Sequence, residues 1–321
     1  MRQCPWQLTP TARGTWIALA GVLIDTPDAL LVRMMGEITS EHWIIIFYKY
    51  LFTGSLTMLA ALYFTRGMGA MWRSIRAGPL HVLSAATCQA AISVFLTLAF
   101  LEAEAASVFL CFSLSPLWAA LFSRIVLREK IQKWTALALL LAAISIGLVF
   151  MPSFFEDEEI DMSDPRRASL HGDLYALAAG GSLGVLLTVN RSAALHAPQA
   201  GMIFASAFGS YICVVVAGLL LAFNGRWTSA NAVVGGADHG GFIALAFADG
   251  ACCAGIFVLF VIAVRYVSGA EVGLVSLLEI ILGPFLVWMH FGEVPPKWTF
   301  LGGETEEAEQ KKRSAIPWHA H

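Results

Sequence analysis

The sequence predicts an all-α, polytopic membrane protein of two inverted five-helix repeats with the tenth helix missing, so that about nine helices cross the bilayer. Three observations predict it: apolar runs of membrane-spanning length, charge confined to the gaps between them, and an internal repeat that stops short. The 321 residues are 58% hydrophobic and 13% charged, well below the roughly 25% charge of soluble domains, so water could not solvate the surface. Ionisable groups are costly in hydrocarbon and cheap in loops, which is how they are distributed here. A net charge of −3 offers no basic face, which excludes nucleic acid as a partner. Cys4, Cys88, Cys111, Cys213, Cys252 and Cys253 fall mostly in apolar runs with no C-x-x-C pair. They read as small core residues, with no disulfide framework and no metal site. The first apolar run is long and followed at once by others, unlike a cleavable signal.

A hydrocarbon core of about 30 Å needs roughly 20 apolar residues in a helix. Runs of that kind cover about 15–32, 43–64, 80–101, 105–127, 133–151, 172–189, 200–223, 241–264 and 269–291. They are too long for barrel strands, so helices are the remaining way to satisfy the backbone. The first run is the weakest, because Asp25, Pro27 and Asp28 interrupt it. With the N-terminus inside, Arg2, Arg13, Arg66, Arg73, Arg76, Arg124, Arg128, Lys130, Lys133, Arg191 and Arg265 lie at inner ends and loops. Only Arg33, Arg166, Arg167, Arg226 and Lys297 lie outside, and that excess of basic residues predicts a cytoplasmic N-terminus. Trp43, Trp72, Trp134, Trp227, Trp288 and Trp298 sit near helix ends as interfacial belt residues.

The chain repeats itself. Shifted by 164 positions, Ala106, Val108, Leu114, Glu129, Lys133, Trp134, Thr135 and Leu137 meet Ala270, Val272, Leu278, Glu293, Lys297, Trp298, Thr299 and Leu301. Shifted by 158, Gly14, Ala18, Leu19, Ala20 and Arg33 meet Gly172, Ala176, Leu177, Ala178 and Arg191. Five helices per half is an odd number, so the second half enters from the opposite face, the inverted topology common among transporters. After Lys133-Trp134-Thr135 comes an apolar helix. After Lys297-Trp298-Thr299 the sequence turns to Glu304, Glu306, Glu307, Glu309, Lys311, Lys312 and Arg313, which hydrocarbon would not accept. The preferred reading is a truncated or alternatively spliced product. The domains are then an N-terminal cytoplasmic segment (1–14), a first repeat (15–151), an acidic loop (152–171), a second repeat of four helices and a stub (172–303), and a charged tail (304–321).

These features resemble the EamA family of the drug/metabolite transporter superfamily. The resemblance is carried by Phe47-Tyr48-Lys49, by Ser115-Pro116 followed by Leu127-Arg128-Glu129-Lys130, and by Gly172-Asp173-Leu174. Leu278 to Pro284 (LEIILGP), followed by Phe291-Gly292-Glu293, completes it. It covers roughly residues 15–303 and implies a ten-helix secondary transporter with a substrate cavity between the halves. Substrates in the family range over amino acids, other metabolites and drugs, so no single one is implied. The departure at the tenth helix puts activity of this product in question.

Ionisable residues at bilayer depth are the functional candidates, with structural ion pairs as the competing role. Asp25 and Asp28 lie three apart on one helix face beside Pro27, which frees backbone carbonyls. Lys49 lies about six residues into its run, roughly 10 Å deep at 1.5 Å per residue. The three form either a structural ion pair or a coupling or substrate-charge site. Glu279 lies near the midplane with Gly283-Pro284 beyond it, and could carry a proton, contact substrate or hold a structural hydrogen bond. Its repeat mate is Ser115, beside Pro116. Gln89, Asp249 and Trp118 complete the candidate cavity, the first two also readable as interhelical hydrogen-bond partners and Trp118 as packing. The partners implied are the lipid bilayer, a small-molecule substrate and, as one option, a second copy in a homodimer. No cofactor is implied.

Two other classes compete. Gly180-Gly181-Ser182-Leu183-Gly184 matches G-x-S-x-G, the pattern of an intramembrane serine protease, but a serine nucleophile needs a base in reach. Only His290 lies near a helix interior, so close helix packing is the preferred reading. A non-transporting scaffold or regulatory isoform is the second alternative, prompted by the missing helix.

Overall fold

The computed structural model describes residues 9–65, 67–103, 105–128, 137, 170–226 and 239–291. All regular structure among them is helical. The elements are α1 (Pro10–Asp25), α2 (Asp28–Ile38), α3 (His42–Thr65), α4 (Met68–Ala77), α5 (Pro79–Glu102), α6 (Ala105–Phe112) and α7 (Ser115–Phe122). They continue as α8 (Leu170–His196), α9 (Met202–Phe223), α10 (His239–Ala263), α11 (Gly269–Ser276) and α12 (Glu279–Phe291). These make eight spans long and apolar enough to cross a membrane: α1–α2, α3, α5, α6–α7, α8, α9, α10 and α11–α12. The chain is thus an integral, multi-pass membrane protein. The ninth candidate span (133–151), the acidic loop, the Lys133 and Lys297 motifs, Glu129, Glu293 and the charged tail lie outside the described residues.

The helix boundaries follow local chemistry. Thr9 caps α1, its hydroxyl accepting from Ala12 N at 3.2 Å, and Pro10 takes the first turn, where its missing N–H costs nothing. Pro79 likewise takes the first turn of α5, after Gly78, which offers no side-chain cap. Ser268 and Glu271 form a reciprocal capping box at the head of α11. Residues 123–127 close the fourth span as a π-helical turn, ending at Arg128 with φ 54°. Between the second and third spans α4 forms a short helix exposing Met68 and Trp72 and carrying Arg76 in its last turn, the make-up of an interfacial helix. The hydropathy pattern does not mark it.

Polarity is inverted relative to a soluble protein. Tyr63, Leu80 and Phe223 are 82%, 77% and 84% exposed, whereas Lys49, Gln89 and Asp249 are buried. Lipid is as apolar as leucine, so the helices associate through close packing and polar contacts. Glycines mark the closest approaches. A methyl on Gly250 of α10 would lie 2.7 Å from Phe52 Cβ and 3.0 Å from Thr53 N of α3, and one on Gly209 of α9 would lie 2.6 Å from Gln89 Cβ of α5.

Packing partners come in matched pairs. α1 lies on α10, and α8 lies on α5; α3 lies on α10, and α9 lies on α5; α3 and α9 lie on each other. The fourth and eighth spans touch through α7 with α11 and α6 with α12. Arg33, at the end of the first span, donates through Nη2 to Ala103 O at 2.8 Å. Arg191, its mate in the internal repeat, donates through Nη1 to Val264 O at 3.1 Å. Each arginine thereby satisfies a carbonyl left open at a helix C-terminus.

Candidate functional site: a buried charge cluster beside two broken helices

The first span breaks at Thr26-Pro27, where proline has no N–H to continue the ladder. Thr26 turns its hydroxyl back onto Val22 O at 2.8 Å. The break leaves Asp25 ending α1 and Asp28 opening α2, and it turns Asp28 toward α3 and α10. Lys49 of α3 donates from Nζ to Asp28 Oδ1 in a short contact and stands 3.1 Å from Asp249 Oδ2 of α10. The second pair is at ion-pair distance but off the hydrogen-bond line, so Asp249 Oδ2 accepts no hydrogen bond. One turn along α10, Cys253 Sγ lies 3.6 Å from Asp28 Oδ1 and 4.0 Å from Asp249 Oδ1. Asp28, Asp249 and Cys253 offer donor atoms within 4.8 Å of one another. The Lys49 ammonium already stands against both carboxylates, so the chain fills this position with its own cation.

Around the triad, Lys49 Nζ stands 5.5 Å from the Tyr50 ring centroid. Tyr50 Oη donates to Ser93 O at 2.9 Å and lies 3.0 Å from Thr97 Oγ1. Gln89 Nε2 makes a long 3.5 Å contact with Ser93 Oγ on its own helix. Thr53 returns its hydroxyl to Lys49 O at 2.9 Å.

The fourth and eighth spans are broken at repeat-equivalent positions. In the fourth, Leu114 N donates to Cys111 O, and Leu114 O accepts from Leu117 N and Trp118 N. In the eighth, each bond recurs at its repeat mates: Leu278 N to Val275 O, and Ile281 N and Leu282 N to Leu278 O. The tighter i to i−3 bonds take up the ends of the half-helices. The spans cross at these breaks. A methyl on Gly273 would lie 3.0 Å from Pro116 Cα, and Gly283 faces the Phe109 ring directly. Ser115 opens α7 and Glu279 opens α12. Both are buried, at 1% and 7% exposure, and Ser115 Oγ and Glu279 Oε1 have no hydrogen-bond partner, nor does Asp25 Oδ1. Glu279 lies within electrostatic reach of Asp25 and Asp28, which ties the crossing to the charge cluster.

The structure therefore brings Asp25, Asp28, Lys49 and Asp249 together, with Glu279 nearby and Ser115 across the helix crossing. Asp249 pairs with Lys49 and not with Gln89, which turns instead to Ser93. Trp118 belongs elsewhere: it stacks on Phe122 at 6.1 Å and lies over Gly184 of α8, where a methyl would be 2.5 Å from Trp118 Cβ. It lines an open groove of about 440 Å³ with Thr87, Cys88, Phe122 and Ser182. Ser182 donates its hydroxyl proton to Ala178 O of its own helix at 2.8 Å. Asn190, in an N-x-S sequon, is buried within α8. Cys253 and Tyr50 are site residues that sequence reading missed. Their only signals are position, one turn from Asp249 and next to Lys49.

No family model matches the chain, and no curated protein matches it in sequence. Seventeen chains of solved structures match it in fold. One, described only as "Crystal structure of protein", superposes with a TM-score of 0.58 at 15% identity, covering 89% of this chain and 90% of its own. At that identity the likeness is one of fold, shared over nearly the whole length.

Proposed function

We propose that the chain is a secondary transporter of a small polar metabolite, such as an amino acid, working by alternating access between two inverted halves of the EamA type. The observation that carries the reading is the pair of broken helices. They share three backbone hydrogen bonds at repeat-equivalent positions, cross at their breaks, and each opens its second segment with a buried, unpartnered polar side chain. Discontinuous helices at the interface of inverted repeats are how such carriers build a midplane site. The paired packing of α1 on α10 with α8 on α5, and the matched Arg33 and Arg191 contacts, support two halves related by exchange. Buried polar groups without partners are costly. A ligand that completed them would recover that cost only while bound, so Ser115 and Glu279 suit substrate contact better than scaffolding.

The test is uptake into proteoliposomes containing the full chain, scanned with radiolabelled amino acids and other small polar solutes. Glu279→Gln, which keeps shape and removes the carboxylate, should lower uptake roughly tenfold or more. Failure of every solute to accumulate above protein-free vesicles would sink the transport reading.

A further inference from the structure

The charge balance of the buried core restricts what can enter it. Four carboxyl groups come from four helices: Asp25 of α1, Asp28 of α2, Asp249 of α10 and Glu279 of α12. Among the described residues, Lys49 of α3 is the cation set against them, and it is committed to Asp28 and Asp249. The other titratable groups facing them are Tyr50 of α3 and Cys252 and Cys253 of α10, none of which brings positive charge. In a medium where an unpaired charge is strongly disfavoured, the remaining carboxyls must carry protons or meet a cation from outside. Besides Asp249 Oδ2, which stands against Lys49, the unpartnered oxygens are Glu279 Oε1, on a residue only 7% exposed, and Asp25 Oδ1, on helices that the packing of α12 against α2 brings into electrostatic reach of each other.

We infer that this core takes a small organic cation bearing an ammonium group at Asp25 and Glu279, in exchange for a proton, and that it rejects anions. The ammonium brings N–H donors that match unpartnered carboxyl oxygens. The exchange balances. As the monovalent cation enters, one carboxylic O–H breaks, its electron pair stays on the oxygen and the proton leaves to solvent, so the buried net charge is unchanged. An anion entering would add to an acidic excess and leave those oxygens without donors. Lys49 sets the balance without taking part in the exchange, because its ammonium holds Asp28 and Asp249 in place. This inference rests on the transport reading for the site's role and deepens it by naming the substrate class.

The probes are ethanolammonium, glycolate and ethylene glycol, close in size and different in charge. They are offered to the purified full chain in detergent, with the thermal midpoint and the pH of weakly buffered solution recorded. Ethanolammonium at millimolar concentration should raise the midpoint, release about one proton per cation bound, and bind about tenfold more weakly for each unit the pH falls in the competing range. Glycolate and ethylene glycol should do neither. Glu279→Gln should abolish proton release while the protein stays folded. Asp25→Asn provides a second variant with the same expectation should the first fail to fold. Preference for glycolate, cation binding without proton release, or no response to any probe would overturn the inference. Proteoliposomes separate the two readings. Cation binding with proton release but no flux of any solute keeps the site and removes transport. Flux of an anion or neutral solute without cation binding keeps transport and removes the inference.

Discussion

Removing the Lys49 ammonium is the most direct strain on the buried core. Lys49 and Asp249 have side chains 1% and 0% exposed, and Asp28 9%, so water cannot replace the lost charge. Lys49→Met keeps the stem and its packing and leaves two carboxylates facing each other. Breaking a buried pair by deleting one partner costs about 3–5 kcal/mol. Replacing the entire ionic group by neutral residues of similar shape is often neutral or better. The triple variant Lys49→Met/Asp28→Asn/Asp249→Asn should therefore recover most of the loss and stand within about 1–2 kcal/mol of the parent chain. Unfolding in mixed micelles titrated with sodium dodecyl sulfate, followed by helical circular dichroism, reads both numbers. The sign of the pH effect is fixed as well. Protonation neutralises the stranded carboxylates, so the Lys49→Met penalty should shrink as pH falls and be largest in alkaline solution. A Lys49→Met protein as stable as the parent, or a triple variant no better than Lys49→Met, would refute the view that charge balance holds α2, α3 and α10 together.

Three further outcomes follow from the same geometry. Gly250→Val would press a branched side chain onto Phe52 Cβ, Thr53 N and Lys49 O, which are too rigid to yield. A destabilisation of about 1–3 kcal/mol or more should appear as a lower thermal midpoint. Tyr50→Phe removes the hydroxyl shared between Ser93 O and Thr97 and should cost about 1–2 kcal/mol in the detergent titration. Ser182→Ala should change stability by no more than about 0.5 kcal/mol and leave uptake intact, because the hydroxyl only bonds its own helix. Loss of uptake in that variant would move the solute path from the charge cluster to the groove beside Trp118.

The spans were legible in the sequence because the bilayer imposes one length on every crossing helix, and eight of the nine candidate runs coincide with described helices. The break at Pro27 was legible for a steric reason. The break in the eighth span was not, since Pro284 sits inside α12 and the ladder opens at Leu277-Leu278 instead. Only the internal repeat, carrying the Ser113-Leu114 break forward, points there. The Asp25, Asp28 and Lys49 group was legible from depth and spacing. The pairing of Lys49 with Asp249 was not, because it depends on how two helices from opposite halves of the chain meet, and no local pattern encodes that angle. The setting of Trp118 was not legible for a related reason. Its neighbour Ser115 faces the helix crossing, while Trp118 rests on a bare Gly184 in a helix of the other half, a complementarity visible only once the two helices are side by side.

Exchange of the two halves would carry the contact of α1 with α10 onto that of α8 with α5, but it would not carry the chemistry. Next to the first contact, where α2 continues the same span, stand an ammonium and its carboxylates, Lys49 of α3 with Asp28 of α2 and Asp249 of α10. The second holds the stacked rings of Phe95 and Tyr175, 6.1 Å apart, and among the described residues it buries no lysine. Two conformers related by such an exchange open different interfaces, one ionic and one aromatic, and have no reason to share an energy. A difference of about 1.4 kcal/mol between them is tenfold in resting population. Under the transport proposal, such a bias would leave one mouth open at rest, on the side decided by a single unmatched lysine.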